Sequence, residues 1–366
     1  MSPSQDRRYM ALALGLASRG LGRVWPNPSV GCVIVRGDQI VGRGWTQPGG
    51  RPHAEAVALA ASGGQAAGAT AYVSLEPCAH HGKTPPCSEA LIAAGVSRVV
   101  IALQDPDPRV NGRGIAMLRA AGLTVDVGVL EREAEELQAG FLRRFREGRP
   151  LLTLKLATSF DGRIATATGE SQWITGPEAR RVVHALRASH DAVLVGAGTA
   201  RTDDPQLTVR GLGTTYQPVR IVASRRLDLP LDGYLARTAS EVPVWICHGA
   251  DADPGLVSQW QDRGAQCLIT GTGVDRQIDP ASLMAKLAEQ GLTRIFCEGG
   301  GAFASSLLNA GIVDRLITFT AGLGLGAEGQ PGIGAMGLDT LSEAPRFQLQ
   351  SCRKVGPDIM AEWRRP

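Results

Sequence analysis

The sequence lacks the features of a membrane protein or a nucleic-acid-binding protein. No run approaches the roughly 20 apolar residues that a membrane-spanning helix needs, and no cluster of lysine and arginine stands out. The formal net charge is only +3, and aromatic residues make up 5% of the chain. A surface that binds nucleic acid depends on basic and stacking side chains, so neither nucleic acid nor a membrane is an expected partner.

The start of the sequence is not expected to be a secretion signal. Arg and Ser interrupt the apolar stretch near the start, which therefore predicts an amphipathic first helix over residues 6–19 and not a signal peptide. Seven cysteines, an odd number in a chain of 366 residues, favour a reduced, cytoplasmic setting. In that setting some cysteines stay free, and others are available to bind a metal.

The chain does contain the pattern of an α/β protein long enough for two domains. In its first part the order β-β-α-β-α-β-α-β predicts a mixed sheet with helices on its faces, starting with a hairpin around Gly37–Asp38. A charged helical segment over residues 131–149 ends in Gly-Arg-Pro. We place the boundary there, which gives domains at residues 1–148 and 149–366.

Short β-type runs separated by helical stretches predict a second α/β domain with a mostly parallel sheet. The closing runs at 314–322 and 357–364 are expected to add antiparallel edges. No G-x-G-x-x-G opens this domain, so the usual dinucleotide fingerprint is missing. Instead, a glycine-rich turn at 298–306 (EGGGAFASS) follows a predicted strand. Its backbone N–H groups suit a pyrophosphate, although glycine also forms ordinary turns.

The sharpest chemical motif is His53-Ala54-Glu55, followed by Pro77-Cys78 and then Cys87. One imidazole and two thiolates suit a catalytic zinc, which uses three protein ligands and one water. Glu55 lies two residues after the histidine at a predicted helix start, where it can carry protons between the attacking water and the leaving amine. The arrangement resembles that of the zinc deaminases, whose signature is H-x-E followed by P-C-x-x-C.

The spacing of the cysteines departs from that motif, because Cys78 and Cys87 are nine positions apart. If Pro85-Pro86 opens a helix with Cys87 in its first turn, the thiolates still converge, and the helix N-terminus favours the thiolate form. A structural zinc site is the alternative, with His80 or His81 as a fourth ligand.

Other polar residues carry weaker signals. Asn27, in a Pro-Asn-Pro turn, is a candidate to hydrogen-bond a base or simply to cap its own turn. Lys83 is a candidate to contact a substrate phosphate or is a solvated surface side chain. Residues 104–114 (QDPDPRVNGRG) follow a predicted strand, where ligands gather in open α/β sheets, but their polarity also fits an ordinary loop. In the second domain, Ser224, Arg225 and Arg226 follow a strand and suit a nucleotide 2′-phosphate.

Three strings, HAEAVAL…LEPCAHHGKTPPC, QDPDPRVNGRG and LKLATSFDGRIATATGESQWIT, closely resemble one family of bifunctional riboflavin-biosynthesis enzymes. That family joins a diaminohydroxyphosphoribosylaminopyrimidine deaminase to a 5-amino-6-(5-phosphoribosylamino)uracil reductase. The likeness covers nearly the whole chain, and the long cysteine spacing is usual in the family. It implies two three-layer α/β domains, a cytidine-deaminase-like mixed sheet followed by a dihydrofolate-reductase-like domain.

The resemblance also implies roles for individual residues. His53, Cys78 and Cys87 are expected to bind Zn²⁺, with Glu55 as the proton carrier. The positions expected to contact NADPH are Ala157, Trp173, Thr199, Asp203, Ser224, Gly300, Gly301, Ala302, Phe303, Ala304, Ser305 and Ser306. The positions expected to contact the ribosyl phosphate substrate are Ser171, Arg187, Leu207, Arg210 and Glu298, with Lys155, Asn27 and Lys83 as further candidates.

The implied reaction is hydrolytic deamination of a pyrimidine ribosyl phosphate, followed by NADPH-dependent reduction of its ribosyl group to a ribityl chain. A homo-oligomer is expected. Two rival hypotheses remain at this point. One is a deaminase of nucleic acid, which the modest charge and the low aromatic content disfavour. The other is a non-catalytic zinc module joined to a nucleotide-binding domain, which Glu55 beside His53 disfavours.

Overall fold

A computed structural model describes residues 2–82, 85–274 and 276–366. The chain divides into two compact units, Met1–Gly148 and Arg149–Pro366. Each unit contains its own mixed β-sheet, so the expected α/β architecture is confirmed. Among the described residues, none of the helices combines the length and apolar character that a membrane crossing requires.

The first unit is built on a five-stranded sheet of order β2-β1-β3-β4-β5. Its strands are β1 (Gly31–Arg36), β2 (Gln39–Trp45), β3 (Thr70–Val73), β4 (Arg98–Ile101) and β5 (Thr124–Val127). Its α-helices are α1 (Pro3–Ala17), α2 (Ala54–Ala61), α3 (Cys87–Ala93), α4 (Arg113–Ala120) and α5 (Glu131–Glu147). Strand β1 is antiparallel to β2 and β3, whereas β3, β4 and β5 run parallel. The predicted hairpin and the predicted element order are confirmed.

Helix α2 packs against the backbone of β2 without intervening side chains. A Cβ atom at Gly44 would lie 2.3 Å from the carbonyl oxygen of Ala54, and one at Gly42 would lie 2.2 Å from that of Ala58. Side chains larger than hydrogen therefore do not fit at these two positions. The close approach fixes the height of α2 above the sheet, and with it the position of the helix start.

A buried ion pair joins α1 to β4. The guanidinium of Arg98 donates to both carboxylate oxygens of Asp6, at 2.8 and 2.9 Å, and the Tyr72 hydroxyl donates to the same carboxylate at 2.7 Å. Asp6 is only 7% exposed. The hydrogen bond from Arg98 lowers the pKa of Asp6 below its ordinary value. Carboxylate stabilisation of this kind is present above the unfolded-state pKa and is lost as pH falls through the folded-state pKa.

Replacement of Asp6 by Asn is therefore expected to lower the free energy of unfolding of the first unit by about 1–3 kcal/mol at neutral pH. The difference from the unsubstituted chain should shrink below about pH 4, where the carboxylate of the unfolded chain takes up protons before the native one does. Urea unfolding at both pH values measures it. Asp126→Asn is the control, because Asp126 also pairs with Arg98 but has a side chain 45% exposed. A pH-independent difference for Asp6→Asn would contradict the expectation.

The second unit is built on a nine-stranded sheet of order β11-β10-β9-β8-β12-β6-β13-β16-β15 and a small β14-β7 ribbon. Its strands are β6 (Leu151–Ser159), β7 (Arg163–Ala165), β8 (Ala192–Gly196), β9 (Val219–Ala223), β10 (Val244–His248), β11 (Gln266–Ile269), β12 (Arg294–Cys297), β13 (Arg315–Ala321), β14 (Gln330–Pro331), β15 (Gln348–Val355) and β16 (Asp358–Arg364). Its α-helices are α6 (Pro177–Ala188), α7 (Ala197–Asp203), α8 (Tyr234–Arg237), α9 (Pro254–Asp262), α10 (Pro280–Glu289) and α11 (Gly301–Asn309).

The pairing in this sheet corrects one prediction. From β11 to β13 all neighbours are parallel. Strand β13 lies inside the sheet, parallel to β6 and antiparallel to β16, so the antiparallel pairing expected of 314–322 is present but the expectation that it forms an edge was wrong. Strand β16 is antiparallel to β13, as expected for 357–364. It is not the edge of the sheet, because β15 pairs with its other side. Strand β15 was not predicted, because seven of its eight residues are exposed and it shows no alternation of apolar and polar residues.

Candidate active site

Three elements of the first unit bring together a histidine and two cysteines. His53 immediately precedes α2, Cys78 follows β3 after a short turn, and Cys87 is the first residue of α3. Nδ1 of His53 lies 3.3 Å from Sγ of Cys87 and 3.7 Å from Sγ of Cys78. The three candidate ligand atoms all lie within 4.8 Å of one another. The predicted convergence across the nine-position cysteine spacing is therefore present.

These separations fit zinc. With Zn–S near 2.3 Å and Zn–N near 2.0 Å, tetrahedral ligands lie about 3.5–3.8 Å apart, close to the two nitrogen–sulfur distances. In the part of the chain that the structure describes, this group has three members, and neither His80 nor His81 is among them. His81 instead lies 3.0 Å from the Glu89 carboxylate. Three ligands and no fourth favour a catalytic site over a structural one.

The two thiols are not equivalent. The Cys87 thiol is hydrogen-bonded to the Cys78 sulfur, and the Cys87 backbone N–H donates to that sulfur at 3.3 Å. The thiol hydrogen bond, helped by His53, lowers the pKa of Cys78 to about 4, whereas the same contact and burial raise the pKa of Cys87. The sequence predicted that the helix N-terminus favours the thiolate form. The N–H at the start of α3 donates to the sulfur of Cys78, so it is the Cys78 thiolate that this helix start stabilises.

Glu55 lies in the first turn of α2 and is only 3% exposed. Burial, with a further contribution from the Cys78 thiolate, raises the pKa of Glu55 to about 7. A carboxyl group that titrates near neutrality can both accept and return a proton during one reaction cycle. The residue is therefore suited to the proton transfers that a hydrolytic deamination requires.

His53, Glu55 and Cys78 open onto a cavity of ≈ 300 Å³ within the first unit. Asn27 lines the same cavity, which agrees with its expected place near a base. A Cβ at Gly50 would lie only 1.9 Å from Nδ2 of Asn27, so the glycine leaves space for the carboxamide. Lys83, the other candidate of this domain, lies outside the described residues.

Sequence reasoning singled out the 104–114 loop but missed most of the other residues around this cavity. The loop contributes Asp105, Asp107 and Arg109, and Asp107 is paired with the Arg109 guanidinium. Burial raises the pKa of Asp105 to about 7. The lining residues that were not predicted include Arg51, Glu76, His80, Phe141, Arg144 and Phe145. Three of these lie on α5, a helix whose charged sequence suggested only a domain boundary.

In the second unit, three of the predicted substrate residues lie together: a buried carboxylate, Glu298, contacts Arg187 and Lys155. Glu298 follows β12 and accepts hydrogen bonds from Nε and Nη2 of Arg187 at 2.5 and 3.1 Å. Nζ of Lys155, in β6, lies 3.8 Å from the same carboxylate. The nearby cations lower the pKa of Glu298 despite its burial, and burial lowers the pKa of Lys155. These three side chains therefore form one charged cluster that joins β6, α6 and the segment after β12.

Arg210 and Leu207 lie in the segment after α7. Nη1 of Arg210 donates to Oγ1 of Thr208 at 3.0 Å and to Gln206, and burial beside Arg187 lowers the pKa of Arg210. The backbone carbonyl of Thr208 accepts from Arg187 at 2.8 Å, which ties this segment to the Glu298 cluster. Leu207 is itself buried and has a φ of +55°.

The glycine-rich turn contacts α7. The Gly300 N–H donates to the Thr199 hydroxyl at 3.1 Å, and α11 begins at Gly301. Ala304 and Ser305 already lie inside this helix and are buried, with the Ala304 N–H bonded to the Gly300 carbonyl. Only the start of α11 therefore offers backbone N–H groups that are not already used by the helix.

Other predicted cofactor residues differ in their exposure. Ser224 is buried, and its hydroxyl contacts Asp228 at 3.2 Å. Arg225, expected to suit a 2′-phosphate, is instead paired with Asp251 at 2.6 Å. Trp173 is 66% exposed, and the Arg180 guanidinium lies 4.5 Å above its ring. The remaining predicted positions are Ala157 in β6, Ser171 in the loop before α6, Asp203 at the end of α7, and Ala302, Phe303 and Ser306 in α11.

Comparison with known proteins agrees with both units. Residues 3–103 match the cytidine and deoxycytidylate deaminase zinc-binding region, and residues 150–361 match the RibD C-terminal domain. The riboflavin biosynthesis protein RibD of Escherichia coli is 44% identical over 364 residues, which cover 97% of this chain and 98% of the relative. RibD of Aquifex aeolicus is 40% identical over 98% of each chain.

Solved structures show the same likeness over the full length. Acinetobacter baumannii RibD superposes with a TM-score of 0.89 at 37% identity and covers 100% of this chain and 99% of its own. A Thermotoga maritima diaminohydroxyphosphoribosylaminopyrimidine deaminase/5-amino-6-(5-phosphoribosylamino)uracil reductase superposes with a TM-score of 0.87 at 32% identity, covering 100% of both chains.

Fold and site together define a two-domain enzyme, a zinc-binding deaminase of the cytidine-deaminase type joined to a reductase. The similarity to full-length relatives specifies it further. The chain belongs to the RibD family of bifunctional riboflavin biosynthesis proteins, which carry out a deamination and a reduction.

Proposed function

We propose that the first unit deaminates a diaminohydroxyphosphoribosylaminopyrimidine and that the second reduces the ribosyl group of the product with NADPH. One observation carries the proposal for the first unit. The convergent His53, Cys78 and Cys87 lie beside a buried carboxylate, Glu55, and three of these four residues line one cavity. A purely structural metal site does not require such a carboxylate.

The three ligands would hold a zinc ion, which lowers the pKa of a water molecule and so supplies a nucleophile at neutral pH. Glu55, with its pKa near 7, accepts the proton of the attacking water. It delivers this proton to the ring nitrogen, then takes up the second proton of the same water and delivers it to the amine, which leaves as ammonia. Asn27 in the cavity wall orients the ring by hydrogen bonds, and the buried surroundings limit competing water.

In the second unit, the start of α11 and Thr199 would hold the pyrophosphate of NADPH, because a helix N-terminus offers free N–H groups to an anion. Because Ala304 and Ser305 are buried, the contacts proposed between NADPH and the glycine-rich turn are restricted to the first residues of the turn. Hydride transfer to the ribosyl C1′ of the ring-opened sugar then depends mainly on how the two reactants are held. The Lys155–Glu298–Arg187 cluster provides that positioning.

Arg210 is proposed to contact the substrate phosphate. Arg210→Ala is expected to raise the KM of the reductase by about 10- to 100-fold, because a charge-assisted hydrogen bond contributes about 1.5–3 kcal/mol. Steady-state kinetics with the deaminated intermediate measure this. Arg346→Ala, at an exposed position of the same unit, is the control. An unchanged KM in the Arg210 variant would count against the assignment.

A single experiment tests both halves. The protein is incubated with the pyrimidine ribosyl phosphate, with and without NADPH, while ammonia and cofactor absorbance are followed together. We expect ammonia in both reactions and NADPH oxidation after ammonia release. Absence of ammonia would favour the non-catalytic zinc module. Ammonia release from a cytosine-containing oligonucleotide, and none from the pyrimidine, would favour a deaminase of nucleic acid. A homo-oligomeric state and a cytoplasmic location remain predictions.

A further inference from the structure

Glu76 is a buried carboxylate in the wall of the first unit's cavity, and its exposed fraction is 4%. Its two oxygens accept hydrogen bonds from three backbone N–H groups that lie far along the chain. Oε2 accepts from Asp105 at 3.2 Å and from Gly112 at 2.9 Å, and Oε1 accepts from Ile115 at 3.1 Å. The side chain of Glu76 therefore binds three points of the segment from residue 105 to residue 115, which we name the wall loop.

The wall loop forms one side of the cavity. It contributes Asp105, Asp107, Arg109 and Val110 to the lining, and it ends at the start of α4. The N–H groups at this helix start have no partner within the helix, and a carboxylate placed there is favoured by both hydrogen bonding and the helix dipole. The contacts of Glu76 therefore hold the loop and orient α4 together.

Glu76 is also joined to the metal group through the chain. It lies two residues before Cys78, and its own N–H donates to the Leu103 carbonyl at 2.9 Å, next to the start of the wall loop. The Ser88 hydroxyl donates to the Cys78 carbonyl at 2.8 Å. A Cβ at Gly114 would lie 2.1 Å from the Pro77 carbonyl oxygen, so the wall loop touches the backbone between Glu76 and Cys78.

We propose that Glu76 is a positioning residue of the deamination reaction. It holds the wall loop at a set distance from the metal ligands, and so determines where the substrate ring lies relative to Glu55. It is not the proton carrier, because backbone N–H groups occupy both of its oxygens. This inference rests on the proposed function of the first unit and adds to it a residue that does not itself react.

The test is Glu76→Gln. Glutamine has the same shape, but its NH₂ group must face at least one of the three backbone N–H groups, which breaks a bond and introduces repulsion. We expect the KM for the pyrimidine ribosyl phosphate in ammonia release to rise about tenfold or more, since misplacement by about 1 Å weakens productive binding strongly. Zinc content and the reductase activity of the same chain should stay at the level of the unsubstituted protein.

A merely structural role predicts a different result. Partial unfolding would lower zinc content and the fraction of active molecules, and hence kcat, while the surviving molecules keep their KM. That outcome, or an unchanged KM with full zinc content, overturns the proposal. Glu131→Gln, at an exposed carboxylate at the start of α5, is the matched control and should change neither parameter.

Two further measurements separate the remaining outcomes. If Glu76→Gln fails to fold, Glu76→Asp replaces it, because it keeps the charge but withdraws the oxygens by one methylene. A folded Asp variant with raised KM supports the proposal, and one with unchanged KM, or loss of folding in both variants, overturns it. If the unsubstituted protein releases no ammonia, the proposed function fails. Calorimetric affinity for the pyrimidine ribosyl phosphate then takes the place of KM in the same comparison.

Discussion

Glu55→Gln is expected to reduce ammonia release by about 10²- to 10⁴-fold or more, the range that a positioned proton carrier contributes. The buried carboxyl has its pKa raised to about 7, so it can take up and return a proton at neutral pH. Glutamine keeps the shape and the hydrogen-bonding capacity of the side chain but cannot carry a proton. The rate of ammonia formation under saturating substrate measures the effect.

Two controls make this result specific. Zinc content should stay unchanged, because Glu55 is not one of the three converging ligands, and reduction of the deaminated intermediate should proceed at its normal rate. Glu133→Gln, another glutamate in the first turn of a helix but exposed, should leave ammonia release intact. Near-normal deamination by the Glu55 variant would refute its role as the proton carrier.

Cys78→Ala is expected to have the second large effect, the loss of both zinc and deamination. Cys78 is one of the three converging ligands, and its pKa is lowered to about 4, so its sulfur is in the thiolate form that binds zinc. With two ligands left, the group no longer provides the three that a catalytic zinc uses. Metal analysis of the purified protein and an ammonia assay measure the two losses side by side.

The matched control is Cys352→Ala, because Cys352 is an exposed cysteine in β15, in the other unit. It should bind zinc and release ammonia like the unsubstituted chain. The reductase should remain active in both variants, since its proposed residues all lie in the second unit. Full zinc content in the Cys78 variant would show that the three side chains are not the zinc ligands.

The metal group could be predicted because each of its members has a local sequence signal. His53 and Glu55 share one helix start, and Cys78 and Cys87 flank a short segment that ends in prolines. The convergence of these pieces needs only a strand end and two helix starts. Which of the two thiols the helix start stabilises could not be predicted, because it depends on which sulfur the Cys87 N–H faces.

Residues brought in from a distance could not be predicted. Phe141, Arg144 and Phe145 line the cavity only because α5 packs against the rest of the first unit. The sequence of an amphipathic charged helix does not indicate which surface the helix will pack against. The three N–H partners of Glu76 lie 29 to 39 positions away and leave no mark on the sequence. The order of strands in the second sheet is similarly set by long-range pairing.

The close packing of α2 against β2 restricts which substitutions this enzyme can accept. A methyl group at Gly44 would not contact the pyrimidine, but it would push helix α2 away from strand β2. Glu55, in the first turn of α2, would move with the helix. To redirect the deaminase to another amine, the side chains around the substrate ring can therefore be substituted, whereas the glycines of β2 that contact α2 cannot. In a library of random variants, Gly42 and Gly44 should prove as intolerant as the zinc ligands, although neither takes part in the chemistry.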